Sequence, residues 1–132
     1  MKKLVHQFGI GESVEFLGWI PPEKMSTYYR KACVFVMPSL MEAFGLVFLE
    51  AMAQGLPIIG GNVGGTLELI RDGVNGFLVN PGDVSTLGKK IREFILSIDI
   101  RRKVIKNGYS TVEKYSRQKM INDTIELYKE LI

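Results

Sequence analysis

Two unbroken apolar runs constrain this chain most: Cys33-Val34-Phe35-Val36-Met37 and Pro57-Ile58-Ile59. Neither alternates apolar with polar residues, so neither suits a sheet with one face in water; both suit the doubly covered middle of a parallel sheet. Between them a helical period runs from about residue 44 to 54 and stops at Gly55. The same alternation continues on either side. Val14-Glu15-Phe16-Leu17 reads as a short strand ending at Gly18, and Pro21-Pro22-Glu23-Lys24 starts a helix that reaches about Lys31. Asp72-Gly73 and Asn75-Gly76 are turn signals leading into a strand at Gly76-Phe77-Leu78-Val79. A helix ending at Phe8 opens the chain, and a short one is expected at 66–70. From Pro81-Gly82-Asp83 onward the pattern is helical, with breaks near Ile98-Asp99 and Tyr115-Ser116. The fold class this predicts is α/β, a parallel sheet with flanking helices, in which ligands bind beyond the carboxyl ends of the strands. The loops at 18–20, 39–45, 60–66 and 80–83 are therefore the places to look for a site.

Composition narrows the chemistry. At 132 residues the chain has room for one domain, and 46% hydrophobic with 23% charged residues is an ordinary globular balance. The net charge of +3 comes from 17 Lys+Arg against 14 Asp+Glu spread along the chain, so no nucleic-acid partner is expected. One cysteine and one histidine exclude an internal disulfide and a soft-metal cluster. Cys33 reads as inert core, and His6 as a surface residue of the opening helix. No apolar stretch reaches the length of a spanning helix, and Met1-Lys2-Lys3 leads into no signal core, so a cytoplasmic location is the default expectation.

The sharpest signal is a pair of acids. From Ala32 to Leu67 the only charged side chains are Glu42 and Glu50, with no lysine or arginine near in sequence to neutralise them. Glu50 sits in Leu46-Val47-Phe48-Leu49-Glu50-Ala51-Met52-Ala53, apolar on most of its circumference, which predicts a buried helix. A carboxylate there costs several kcal/mol unless it is hydrogen-bonded or keeps one face open to a site. Glu42 stands in the loop that enters this helix, beside Gly45, which permits close approach of backbone to a ligand. A helix start offers free N–H groups to an anion, and carboxylates bind vicinal hydroxyls with charged hydrogen bonds worth about 1.5–3 kcal/mol each. Together these suit a nucleotide-sugar site; the plainer readings are a Glu50 that points to solvent or pairs with a distant cation, and a Glu42 that is only a helix-entry acid favoured by the macrodipole.

The run Glu42-Ala43-Phe44-Gly45-Leu46-Val47-Phe48-Leu49-Glu50-Ala51-Met52-Ala53-Gln54-Gly55-Leu56-Pro57 resembles the E-x7-E signature of retaining GT-B glycosyltransferases, in the family known as glycosyltransferase family four or glycosyl transferases group 1. The resemblance extends, in order, to residues 14–18, Val36-Met37-Pro38-Ser39, Gly64-Gly65-Thr66-Leu67-Glu68 and the stretch 72–79. It implies a Rossmann-like C-terminal, donor-binding domain over 1–132, with C-terminal helices from about 84 to 132. By the same carry-over, Glu42 is the catalytic-site acid beside the donor sugar, and Glu50 grips the ribose hydroxyls. Backbone of Ala43, Phe44, Gly45 and Leu46 meets sugar and diphosphate, Gly18-Trp19-Ile20 lies along the base, and Gly64-Gly65 approaches the donor while Glu68 fixes that loop. No metal or other cofactor is expected; the nucleotide-diphospho-sugar is the substrate.

The resemblance also implies absences. The acceptor domain has no counterpart here, nor has the opening strand–helix–strand of the donor domain, where the family carries an Arg and a Lys for the diphosphate. Arg71 and Lys24 do not fit that motif. The missing strands would lie between residues 14–17 and 33–37, so the first strand is expected to re-pair directly, or a second copy or the rest of a longer protein to fill the gap. Acceptors of relatives include lipid-linked ones, so peripheral contact at the inner face of a membrane is a further expectation. The alternative reading is a truncated, non-catalytic Rossmann-like module that acts only with partner chains. Trp19 is expected to pack at a strand end.

Overall fold

The computed structural model describes residues 1–131. Three short parallel strands, β1 (Phe35–Met37), β2 (Ile58–Gly61) and β3 (Phe77–Val79), lie in the order β1-β2-β3. Phe35 pairs with Ile58, Val36 with Ile59 and Met37 with Gly60, while Ile59, Gly60 and Gly61 meet Phe77, Leu78 and Val79. The helices are α1 (Lys2–Gln7), α2 (Pro22–Lys31), α3 (Leu46–Ala53), α4 (Thr66–Leu69), α5 (Val84–Leu96), α6 (Ile98–Lys114) and α7 (Arg117–Glu130).

The unbroken apolar runs are unbroken because the sheet is covered on both faces. Successive side chains point to opposite sides, so Phe35, Met37 and Ile58 join α2 and α3 residues around Phe48 and Met52. Val34, Val36, Ile59, Phe77 and Val79 instead join Phe94 of α5 and Val104 of α6. Phe48, Ile58, Ile59 and Phe94 are completely buried. At about 25 cal/mol per Å² of apolar surface, each such side chain contributes roughly 1.5–3 kcal/mol.

Several expectations are corrected. Residues 14–17 form no strand and pair with none among the described residues; Phe16 and Leu17 stay exposed. Direct re-pairing therefore does not occur. The backbone at Val14 is extended, but an extended segment becomes a strand only when a neighbour takes its N–H and C=O groups. The same open edge leaves β1 half-buried and Cys33 exposed, not part of the core. Gly60 and Gly61 belong to β2, not to a loop. A Cβ at Gly60 would come within 2.7 Å of Ile70 Cδ1 and of Thr66 Cγ2, so close packing rather than turn geometry selects glycine there. No helix among the described residues is long and apolar enough to cross a membrane.

Candidate functional site

The helix α3 begins where Gly45 adopts φ +85°, a backbone conformation that strains any residue with a Cβ. A Cβ at Gly45 would also lie 2.6 Å from Phe48 Cδ2, inside the core. Among the described residues the amides of Phe44, Gly45, Leu46 and Val47 donate to no backbone carbonyl, and the N-cap makes no side-chain hydrogen bond to them. Four free N–H groups thus cluster at the positive end of α3. Leu46 itself is 63% exposed.

Around that tip two loops are fastened together. The amide of Gly65 donates to the carbonyl of Glu42 at 2.9 Å. A Cβ on Gly64 would strike that same carbonyl oxygen, and one on Gly65 would strike the carbonyl oxygen of Ala43. The close approach these glycines permit in this structure is to the backbone of residues 42–44, which makes one ledge of the loops after β1 and β2. Glu42 is half-buried on it. Glu68 does not hold the loop by its carboxylate, which makes no hydrogen bond among the described residues; its backbone carbonyl accepts from Tyr115 Oη at 3.3 Å. The hydroxyl of Thr66, fully buried just behind the ledge, has no partner among the described residues.

Further along α3, Glu50 is exposed and not buried. The helix itself is buried as expected, through Phe48, Ala51 and Met52, but α2 and α3 do not close over Glu50. A cavity of about 520 Å³ remains between them, lined by Pro22, Met25, Ser26 and Tyr29 from α2, by Val47, Glu50, Ala53 and the following Gln54 from α3, and by Ile20. Glu50 is its only charged lining residue among the described residues. Tyr29, 6% exposed, donates its hydroxyl to Glu50 Oε2 at 3.1 Å. Burial, then the hydrogen bond to Glu50 and the negative charge of that carboxylate, push the Tyr29 phenol up to about 12.

The structure therefore divides the predicted site residues. Glu42, Ala43, Phe44, Gly45, Leu46, Gly64 and Gly65 gather at the α3 tip, and Glu50 and Ile20 line the adjoining cavity. Gly18 and Trp19 do not line it. Trp19 stands 82% exposed and packs at no strand end; with no strand at 14–17, there is no end to pack against. Sequence reasoning missed the rest of the lining. The signal was present as two stripes at helical spacing, Pro22, Met25, Ser26 and Tyr29 on one helix and Val47, Glu50 and Gln54 on the other. A second, polar cavity of about 330 Å³ lies between α4 and α6. There Asn75 ties the turn to α6, donating to the Leu69 carbonyl at 2.8 Å and to Thr111 Oγ1 at 2.9 Å while accepting from the Arg71 amide at 2.7 Å. No group of three or more metal-ligating side chains occurs among the described residues.

A parallel α/β sheet with its candidate site beyond the strand ends, built on a helix tip and two acids, defines a Rossmann-like ligand-binding domain. The sequence model of the family "Glycosyl transferases group 1" matches residues 1–111, and the chain belongs to that family. Three solved structures illustrate the likeness. Sucrose-phosphate synthase from Thermosynechococcus elongatus is 34% identical with a TM-score of 0.89, over 98% of this chain and 33% of that one. HepE from Anabaena, solved in complex with UDP-glucose, is 26% identical with a TM-score of 0.87, over 99% and 36%. The C-terminal domain of the group 1 glycosyl transferase LpcC from Francisella tularensis is 33% identical with a TM-score of 0.79, over 88% and 60%. The fold is that of GT-B glycosyltransferase C-terminal domains. The chain spans a third or less of the length of the first curated relatives it matches, which are themselves glycosyltransferases.

Proposed function

We propose that this chain is the donor-binding part of a retaining glycosyltransferase that takes a hexose from a nucleotide-diphospho-sugar and delivers it to a glycan or lipid-linked acceptor on the cytoplasmic side. The observation that carries the reading is Glu50: an uncompensated carboxylate presented to a cavity large enough for a nucleoside, beside a helix tip with four free amides. In this reading Glu50 accepts from the two ribose hydroxyls, and the base runs along Ile20 and the neighbouring Gly18-Trp19 backbone. The diphosphate meets the amides of Phe44, Gly45 and Leu46, where the helix dipole and unpaired N–H groups favour negative charge. Glu42 faces the donor sugar, with the Gly64-Gly65 backbone as the opposite wall, and no metal is required. The solved complex of HepE with UDP-glucose supports a donor of this class.

Binding of UDP, GDP or ADP is expected to raise the melting temperature of the chain, since a ligand bound only to the folded state stabilises it in proportion to ln(1 + [L]/Kd). Glu50→Ala is expected to abolish that rise; an unchanged rise refutes the assignment. A second reading, a non-catalytic module working only beside partner chains, is favoured by one observation: no lysine or arginine lines the cavity to meet a diphosphate. Assaying the chain alone for sugar transfer and donor hydrolysis separates the two. We expect no turnover without an acceptor domain, and restored transfer when one is supplied. Binding that persists with no transfer under either condition favours the module.

A further inference from the structure

The cavity-lining tyrosine has no role in donor binding so far, yet it is 6% exposed and anchored in the core. Its ring packs edge-on against Phe35, centroids 5.9 Å apart and planes at 71°. Phe35 in turn packs edge-on against Phe48 at 5.6 Å and 86°. This row of three rings ties Tyr29 to β1 and to the fully buried Phe48 of α3, so the phenol oxygen is held at the cavity wall with little freedom. Glu50 is the opposite case. It is exposed, takes part in no ion pair, and Tyr29 supplies its only hydrogen bond among the described residues. Without that bond a glutamate on an open helix face samples several rotamers.

We propose that Tyr29 is a positioning residue that locks the Glu50 carboxylate in the orientation able to receive a vicinal diol. A carboxylate has about four lone-pair directions. The phenol occupies one on Oε2 and leaves Oε1, with the remaining direction on Oε2, for two ligand hydroxyls. The phenol donates to the carboxylate and carries no charge of its own, so it fixes the acceptor without competing for the diol. The inference rests on Glu50 binding a ribose, and it adds that diol recognition is set from α2 and not from α3 alone.

The test compares the full 132-residue chain with Tyr29→Phe, measuring calorimetric affinity for UDP, ADP and GDP, each beside its 2′,3′-dideoxy counterpart. Wild type is expected to prefer the ribonucleotide. Tyr29→Phe keeps the ring and the aromatic row, and is expected to weaken ribonucleotide binding about 5–10-fold while dideoxynucleotide binding stays within about twofold. Equal weakening of both forms, or of neither, overturns the inference and leaves the donor-site reading standing. Failure of wild type to bind any of the six nucleotides overturns both. A ligand-free measurement reads the pair itself, should the variant fold poorly. In a spectrophotometric titration, one of the five tyrosines is expected to ionise near pH 12, and Glu50→Gln is expected to bring it down. An unaltered titration in Glu50→Gln overturns the pairing.

Discussion

Single residues decide more here than their positions in the sequence suggest. Asn75 reads from the sequence as a turn former, yet it is a buried hub whose side chain satisfies two backbone groups and one hydroxyl. Asn75→Ala is expected to destabilise the fold by about 2–4 kcal/mol, because buried polar partners are left unmet at roughly 1–3 kcal/mol each; urea melts at neutral pH check it. Tyr29 makes a pH-dependent contribution with a definite sign. Its phenol is held in the protonated form more firmly folded than unfolded, from the ordinary 10 up to about 12. The stabilisation is thus whole below pH 10 and is lost as pH rises from 10 towards 12. Among the residues lining the cavity, Glu50 is the one charged group facing the phenol. Melts at pH 9 and pH 11.5 are expected to show a larger loss in wild type than in Tyr29→Phe. The two acids were legible from sequence because charge is scarce between Ala32 and Leu67. The exposure of Glu50 was not, since the apolar circumference of α3 cannot say how far a neighbouring helix will close over it.

At the scale of elements, the periodic ones were readable and the paired one was not. The stops at Gly9 and Gly55, the start at Pro21-Pro22, and the breaks near Ile98-Asp99 and Tyr115-Ser116 mark helices that the structure forms within a residue or two of the expected ends. Helices carry their own hydrogen bonds, so local signals suffice. The segment 14–17 has good strand composition but no partner, and a ladder is a property of two segments. Helix α7 is a different case. It buries no residue and exposes Met120, Ile121, Ile125, Leu127 and Tyr128. Its side-chain hydrogen bonds run within itself or to its own Ser116 cap. Ending the chain after Ser116 is therefore expected to change the unfolding free energy by less than about 0.5 kcal/mol, the ordinary scale of surface changes. A larger loss in chemical melts would mean that α7 supports the core.

For the whole molecule, the sheet is the weak point. Among the described residues β1 keeps one edge unpaired, and Phe16, Leu17, Leu40 and Met41 are exposed. Open edges and contiguous apolar patches favour association, so light scattering behind gel filtration is expected to give a mass above 14.8 kDa at micromolar concentrations. A strictly monomeric, well-folded species would show that the edge is tolerated. Fold class and the order of layers were legible because they follow from doubly apolar strands separated by helices. What lies beside β1 was not, because nothing in a strand's own residues names its neighbour. The lone indole of the chain projects into solvent one residue before Ile20 on the cavity wall, so the molecule carries its own optical gauge: an occupant reaching past Ile20 would register as a change in emission or iodide quenching, with no label attached.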